Sequence, residues 1–234
     1  MTAGISTAGL LKIKTATGFS IAMPLAMSLV EDAVFERLRG ELPSAPAYKE
    51  EVAVRFDYLL VALIRFLYSR MHTDSEIQPY LAAFGDGTAP VEGKLENDLY
   101  LALSMIFRSD IQRRAVSAGR TDIVIREHNF NFVIEVKRTF DEWSIAVPGF
   151  LGQTTAYQQA DVKIGVLSIL DLTERDAGVP GFEYCFEVHE RTIPNESGRW
   201  ALVMRVPGNR TLPSKMSKPR APATKSRRRK SQSG

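Results

Sequence analysis

Two carboxylates and a lysine, Asp122, Glu135 and Lys137, stand where a β-hairpin would bring them together. The segments GRTDIVI (119–125) and FVIEVKR (132–138) flank His128-Asn129. If these two residues form the loop, Glu127 faces Phe130 and Asp122 faces Glu135. One extra loop residue would shift the register and still leave the acids near neighbours. Opposed side chains lie only about 4.5–5.5 Å apart at Cβ, where like charges destabilise the pair. Either both acids face water, or a divalent cation lies between them. Val133, Glu135 and Lys137 share one face of their strand, and Phe132, Ile134 and Val136 the other. Aliphatic residues around an acid mark a buried strand, in which unpaired carboxylates are costly. Lys137 supplies a cation on the same face. A plain Glu–Lys ion pair would use the same two residues, and the added Asp122 argues against it.

The elements around this hairpin follow from periodicity. Helices are predicted over 26–42, ending before Pro43, over 48–72, and over 74–84. In the second, Val52, Phe56, Leu59, Leu60, Leu63, Phe66 and Leu67 recur at helical spacing. GDGTAP (85–90) breaks the pattern as a loop. A further helix over 91–107 carries Leu95, Leu99, Leu103 and Ile106 on one stripe. Strands follow over 112–117, 121–127 and 130–137, then a helix over 149–160. The β-branched run VKIGVLSIL (162–170) reads as a buried strand, and 182–188 and 200–206 as two more. The fold class is thus α/β, a mixed β-sheet flanked by helices. The expected units are an α-helical N-terminal lobe (1–88), the sheet domain (89–213) and a basic tail (214–234). The apolar stripes of the lobe read as packing surfaces rather than ligand sites.

Glu96 on the helix, Asp122 in GRTDI, Glu135-Val136-Lys137 and the helical Gln153-x-x-x-Tyr157 occur in that order. Together they resemble the PD-(D/E)XK nuclease superfamily, of restriction-endonuclease-like fold, over about 91–170. Thr121 stands where that family often has Pro. The resemblance implies an endonuclease, a hydrolase of phosphodiester bonds that uses Mg2+ or Mn2+, with DNA favoured over RNA. Asp122, Glu135 and the Val136 carbonyl would bind the metal, which fits the preference of hard cations for oxygen. Lys137 would orient or help deprotonate the attacking water and offset charge on the phosphate. Glu96 would hold a second metal or a metal-bound water, although Glu92, one turn earlier on the same side, could take its place. Gln153 and Tyr157 would bind backbone phosphate or support Lys137. Arg120 and Arg138 are further phosphate contacts. Defence, mobile-element and repair roles are all compatible. The alternative is a non-catalytic nucleic-acid-binding or assembly subunit with the same fold.

The net charge of +3 hides two opposed parts. Eight of the 30 basic residues and none of the 27 acidic ones lie beyond Ser214, so the rest of the chain carries −5. The tail, with Lys225, Arg227, Arg228, Arg229 and Lys230, has the composition of a disordered arm that attracts nucleic acid without sequence preference. The single Cys185 excludes an internal disulfide and a cysteine zinc site. His72, His128 and His189 fall in different elements. Cys185 and His189, four residues apart on one predicted strand, would be ~13 Å apart, too far for a nucleophile–base pair. There is no phosphate-cradling glycine loop. The apolar stretch 19–30 is interrupted by Pro24 and Ser28 and is shorter than the ~20 residues of a membrane span. A cytoplasmic protein is expected, or a nuclear one in a eukaryote. The helical lobe would serve a homodimer or a partner protein.

Overall fold

The computed structural model describes residues 27–73, 77–85, 87–108, 111–116, 119–127, 129–156, 158, 162–175 and 178–211, with backbone alone for 114–116, 119–121 and 127. Four α-helices and six strands are present among them: α1 (Leu29–Glu41), α2 (Glu50–His72), α3 (Glu92–Phe107), β1 (Ile111–Val116), β2 (Gly119–Glu127), β3 (Phe130–Thr139), α4 (Trp143–Ala156), β4 (Ile164–Asp171), β5 (Phe186–Ile193) and β6 (Glu196–Pro207). The strands form one mixed sheet in the order β1-β2-β3-β4-β6-β5. Both β3–β4 and β4–β6 are parallel, and the remaining neighbours are antiparallel.

Local chemistry sets the element boundaries. Ser28 caps α1 through a capping box: its hydroxyl accepts the Glu31 N–H, and the Glu31 carboxylate accepts the Ser28 N–H at 2.7 Å. The helix therefore starts at Leu29, not at residue 26. The helix expected over 74–84 is replaced, among the described residues, by a single 3-10 turn, Pro79–Leu81. Pro79 disfavours the helical conformation in the residue before it, and Gln78 lies at φ −124°. Helix α4 begins six residues before the expected start at 149 and accommodates Pro148 in its interior. The Ser144 carbonyl that loses its partner is on the exposed side, open to water. Strand β5 starts at Phe186, because 182–184 form a 3-10 turn. Strand β6 starts at Glu196 after a turn in which Asn195 adopts φ +64°.

Alternation along the strands sorts the layers. Phe132, Ile134 and Val136 of β3 join α1, α2 and α3 in one continuous core, where the Phe56 and Phe132 rings meet edge to face at 5.5 Å. The opposite face is covered by α4, with Val147 over Leu167, Ile169 and Val203. Glu135 pairs in register with Leu167, and Lys137 with Ile169. The two candidate catalytic side chains therefore lie on the α4 face. No helix among the described residues is long and apolar enough to cross a membrane.

Candidate active site

The hairpin adopts the register expected for a two-residue loop, with Glu127 opposite Phe130 and Ile123 opposite Ile134. The ladder then stops at Asp122. The next backbone donor, Val136 N–H, is taken by the Asp122 carboxylate at 2.7 Å. A side chain thus replaces a main-chain acceptor where β2 separates from β3. The N–H and C=O of one strand residue point to the same side. The Val136 carbonyl therefore faces the same gap, beside Asp122.

Glu135 lies at the floor of this gap with no solvent exposure. Its Oε1 accepts from the Lys137 ammonium at 2.5 Å. Its Oε2 is buried and has no hydrogen-bond partner among the described residues. Burial pushes the Glu135 carboxyl above the usual range, and the nearby charges of Asp122 and Glu92 push the same way against Lys137. Burial alone would lower the Lys137 ammonium, but Glu135, Asp122 and Glu92 more than offset it and raise it. The Lys137 ammonium is in contact with one carboxylate, Glu135, and in the field of two more, Asp122 and Glu92, a field that favours positive charge.

Other expected residues occupy different places. Glu96 forms an ion pair with Arg113 of β1 at 3.6 Å. The α3 carboxylate in the field of Glu135 and Lys137 is Glu92, in the first turn. Gln153 is exposed on α4. Tyr157, His128 and the basic cluster from Lys225 to Lys230 lie outside the described residues, as does the side chain of Arg120. Arg138 points to the face opposite Lys137, donates to the Pro90 carbonyl at 3.0 Å and stacks over Phe140. Cys185 is buried, its thiol pushed up to about 12 by that burial, while His189 bonds to Glu187.

The sequence reading missed Gln158. It is buried and donates to the Trp200 carbonyl at 2.7 Å, while its Oε1 has no partner among the described residues. A Cβ on Gly165 would come within 3.1 Å of both the Gln158 amide nitrogen and the Val133 carbonyl. Glycine within an aliphatic strand is the signal of such a close approach, and Gly165 carried it.

No group of three or more His, Cys, Asp or Glu side chains is arranged for a metal among the described residues. Mg2+ needs fewer, often one or two carboxylates with water and phosphate completing the shell. Asp122, the unpartnered oxygen of Glu135 and the Val136 carbonyl are oxygen donors of the kind such a shell takes. A cavity of about 500 Å³ lies elsewhere, between the 78–90 segment and the outer side of α3. Comparison with known proteins returns no matching family model, curated protein or solved structure.

Proposed function

We propose that this chain, with a restriction-endonuclease-like sheet, is a metal-dependent phosphodiesterase acting on nucleic acid, DNA before RNA. The observation that carries the reading is the buried, unpartnered oxygen of Glu135 within an excess of negative charge. Asp122, Glu135 and the Val136 carbonyl would hold Mg2+ or Mn2+, with Glu92 rather than Glu96 the better-placed acid of α3. Bound there, the metal would polarise the scissile phosphate and lower the pKa of a coordinated water. The part-exposed edges of Asp122 and Lys137 provide the approach for a phosphate. Lys137, held protonated by three carboxylates, serves as a donor that orients the water and offsets charge on the phosphate, not as a general base.

A second reading has its own support. Asp122 already caps a backbone N–H and Glu135 already pairs with Lys137, as in a structural ion pair. The chain would then be a non-catalytic nucleic-acid-binding or assembly subunit. Incubating the protein with plasmid DNA and with RNA in Mg2+ or Mn2+ separates the two. Cleavage that stops on chelation and is lost in Asp122→Asn and Lys137→Ala supports the enzyme. Absence of cleavage together with absence of Mn2+ binding overturns it.

A further inference from the structure

Phe140 is the first residue beyond β3, and its ring is 51% exposed. It follows the alternation of Arg138 and so lies on the face opposite Lys137. The Arg138 guanidinium sits over this ring at 5.5 Å, and the Phe84 ring meets it edge to face at 6.4 Å. Phe84 also lines the 500 Å³ cavity, whose lip at Pro90 is tied to Arg138 by the hydrogen bond to the Pro90 carbonyl. An exposed aromatic ring under a cation thus adjoins, through Phe84 and Pro90, a cavity beside the end of β3.

The cavity is chemically mixed. Asn97 lines it and uses its side-chain oxygen to accept from Arg113 at 2.9 Å, which leaves its amide N–H groups to donate. Gln78, whose Nε2 donates one N–H to Asp98 at 3.5 Å, adds a second amide at the wall, and the exposed Lys94 adds an ammonium to the lining. Asp98, which would repel an anion, is neutralised by a two-point bond from Arg70 at 2.6 and 2.8 Å and by the Tyr80 hydroxyl. Amide groups suit the hydrogen-bonding edge of a base, aromatic rings its face, and cations its phosphate.

We infer that the Phe140 ledge and this cavity bind an unpaired nucleotide of a nucleic-acid strand, on the face of the sheet opposite Lys137. The substrate class is then single-stranded nucleic acid, or a duplex with a frayed or overhanging end. A base paired inside a duplex cannot offer its face to Phe140 or its edge to Asn97. The binding does not depend on the phosphodiesterase reading.

Binding can be measured without metal, in EDTA and at fixed salt, by the anisotropy of a short fluorescein-labelled oligothymidylate against a blunt-ended hairpin duplex. The wild type should prefer the single strand. Phe140→Ala should lose about tenfold of that affinity, the effect of removing one stacking platform, with duplex binding unchanged. Phe140→Trp should restore it. Phe140 is half exposed, so unchanged thermal melting of the alanine variant is expected and excludes unfolding as the cause. Equal affinity for both probes, or a Phe140→Ala variant that binds the single strand like wild type, overturns the inference. A Phe140-dependent preference in a protein that never cuts would uphold the nucleotide site while removing the phosphodiesterase.

Discussion

Replacing Lys137 by methionine tests the premise that this site lacks positive charge. The Glu135 side chain is wholly buried, and Lys137, only 13% exposed, is its partner at 2.5 Å. Methionine keeps most of the lysine stem and removes the charge, leaving an uncompensated carboxylate on the floor of the gap. Removing one partner of a buried pair costs about 3–5 kcal/mol. The cost must depend on pH, and its sign is fixed. Glu135 has a folded-state pKa above the unfolded value of about 4.3. Such a group contributes stability that is present below the unfolded pKa and lost as pH rises through the folded one. Without Lys137, which lowers it, that pKa rises further, so urea unfolding should find Lys137→Met strongly destabilised at pH 8 and less so near pH 5. Each pH unit within the window changes the difference by about 1.4 kcal/mol. The double variant Glu135→Leu/Lys137→Met, which removes both charges, should be near wild type or more stable. Mn2+ at a hundred times its Kd should return about 2.7 kcal/mol to the single variant through Asp122 and Glu135. A Lys137→Met protein as stable as wild type at pH 8, or equally destabilised at pH 5 and 8, would refute the reasoning.

Three further outcomes follow from other parts of the fold. Gly165→Ala places a Cβ against the Val133 carbonyl and the Gln158 amide, and should cost about 1–3 kcal/mol by thermal or urea unfolding, because the backbone neighbour cannot yield. Burial alone would raise the Asp171 carboxyl, but Thr173, Arg175 and Arg205 hold it below the usual range. Its stabilising contribution should be present above about pH 3.9 and fade as pH falls through its lower folded value, so the stability gap to Asp171→Asn, measured by urea at successive pH values, should narrow in acid. Removing 212–234 takes away eight cations and no acid, so nucleic-acid affinity should fall most at low salt and the slope of log affinity against log salt should flatten.

The sequence by itself determined what is local. A two-residue loop and strict alternation place Asp122 beside Glu135 and set Lys137 on the same face, because hairpin register depends only on residues within the hairpin. The order of helices and strands was legible for the same reason: periodicity and turn residues act over a few positions. Their ends were less so where proline intervened, as Pro79 removed an expected helix and Pro148 was absorbed into one. Only the tertiary structure decided that Glu92 of α3 acts on the charges of Glu135 and Lys137 while Glu96 pairs with Arg113. Glu92 and Glu96 share a side of the helix, and the choice depends on how α3 sits against the sheet and on Arg113 arriving from β1. Parallel pairing of β4 with β3 and β6 joins segments far apart in the chain, and with α4 it puts Glu135 out of water and Gln158 over Gly165. Burial turns an acid–lysine pair into a site with unspent negative charge, and burial is a property of what packs above a residue, not of its neighbours in sequence.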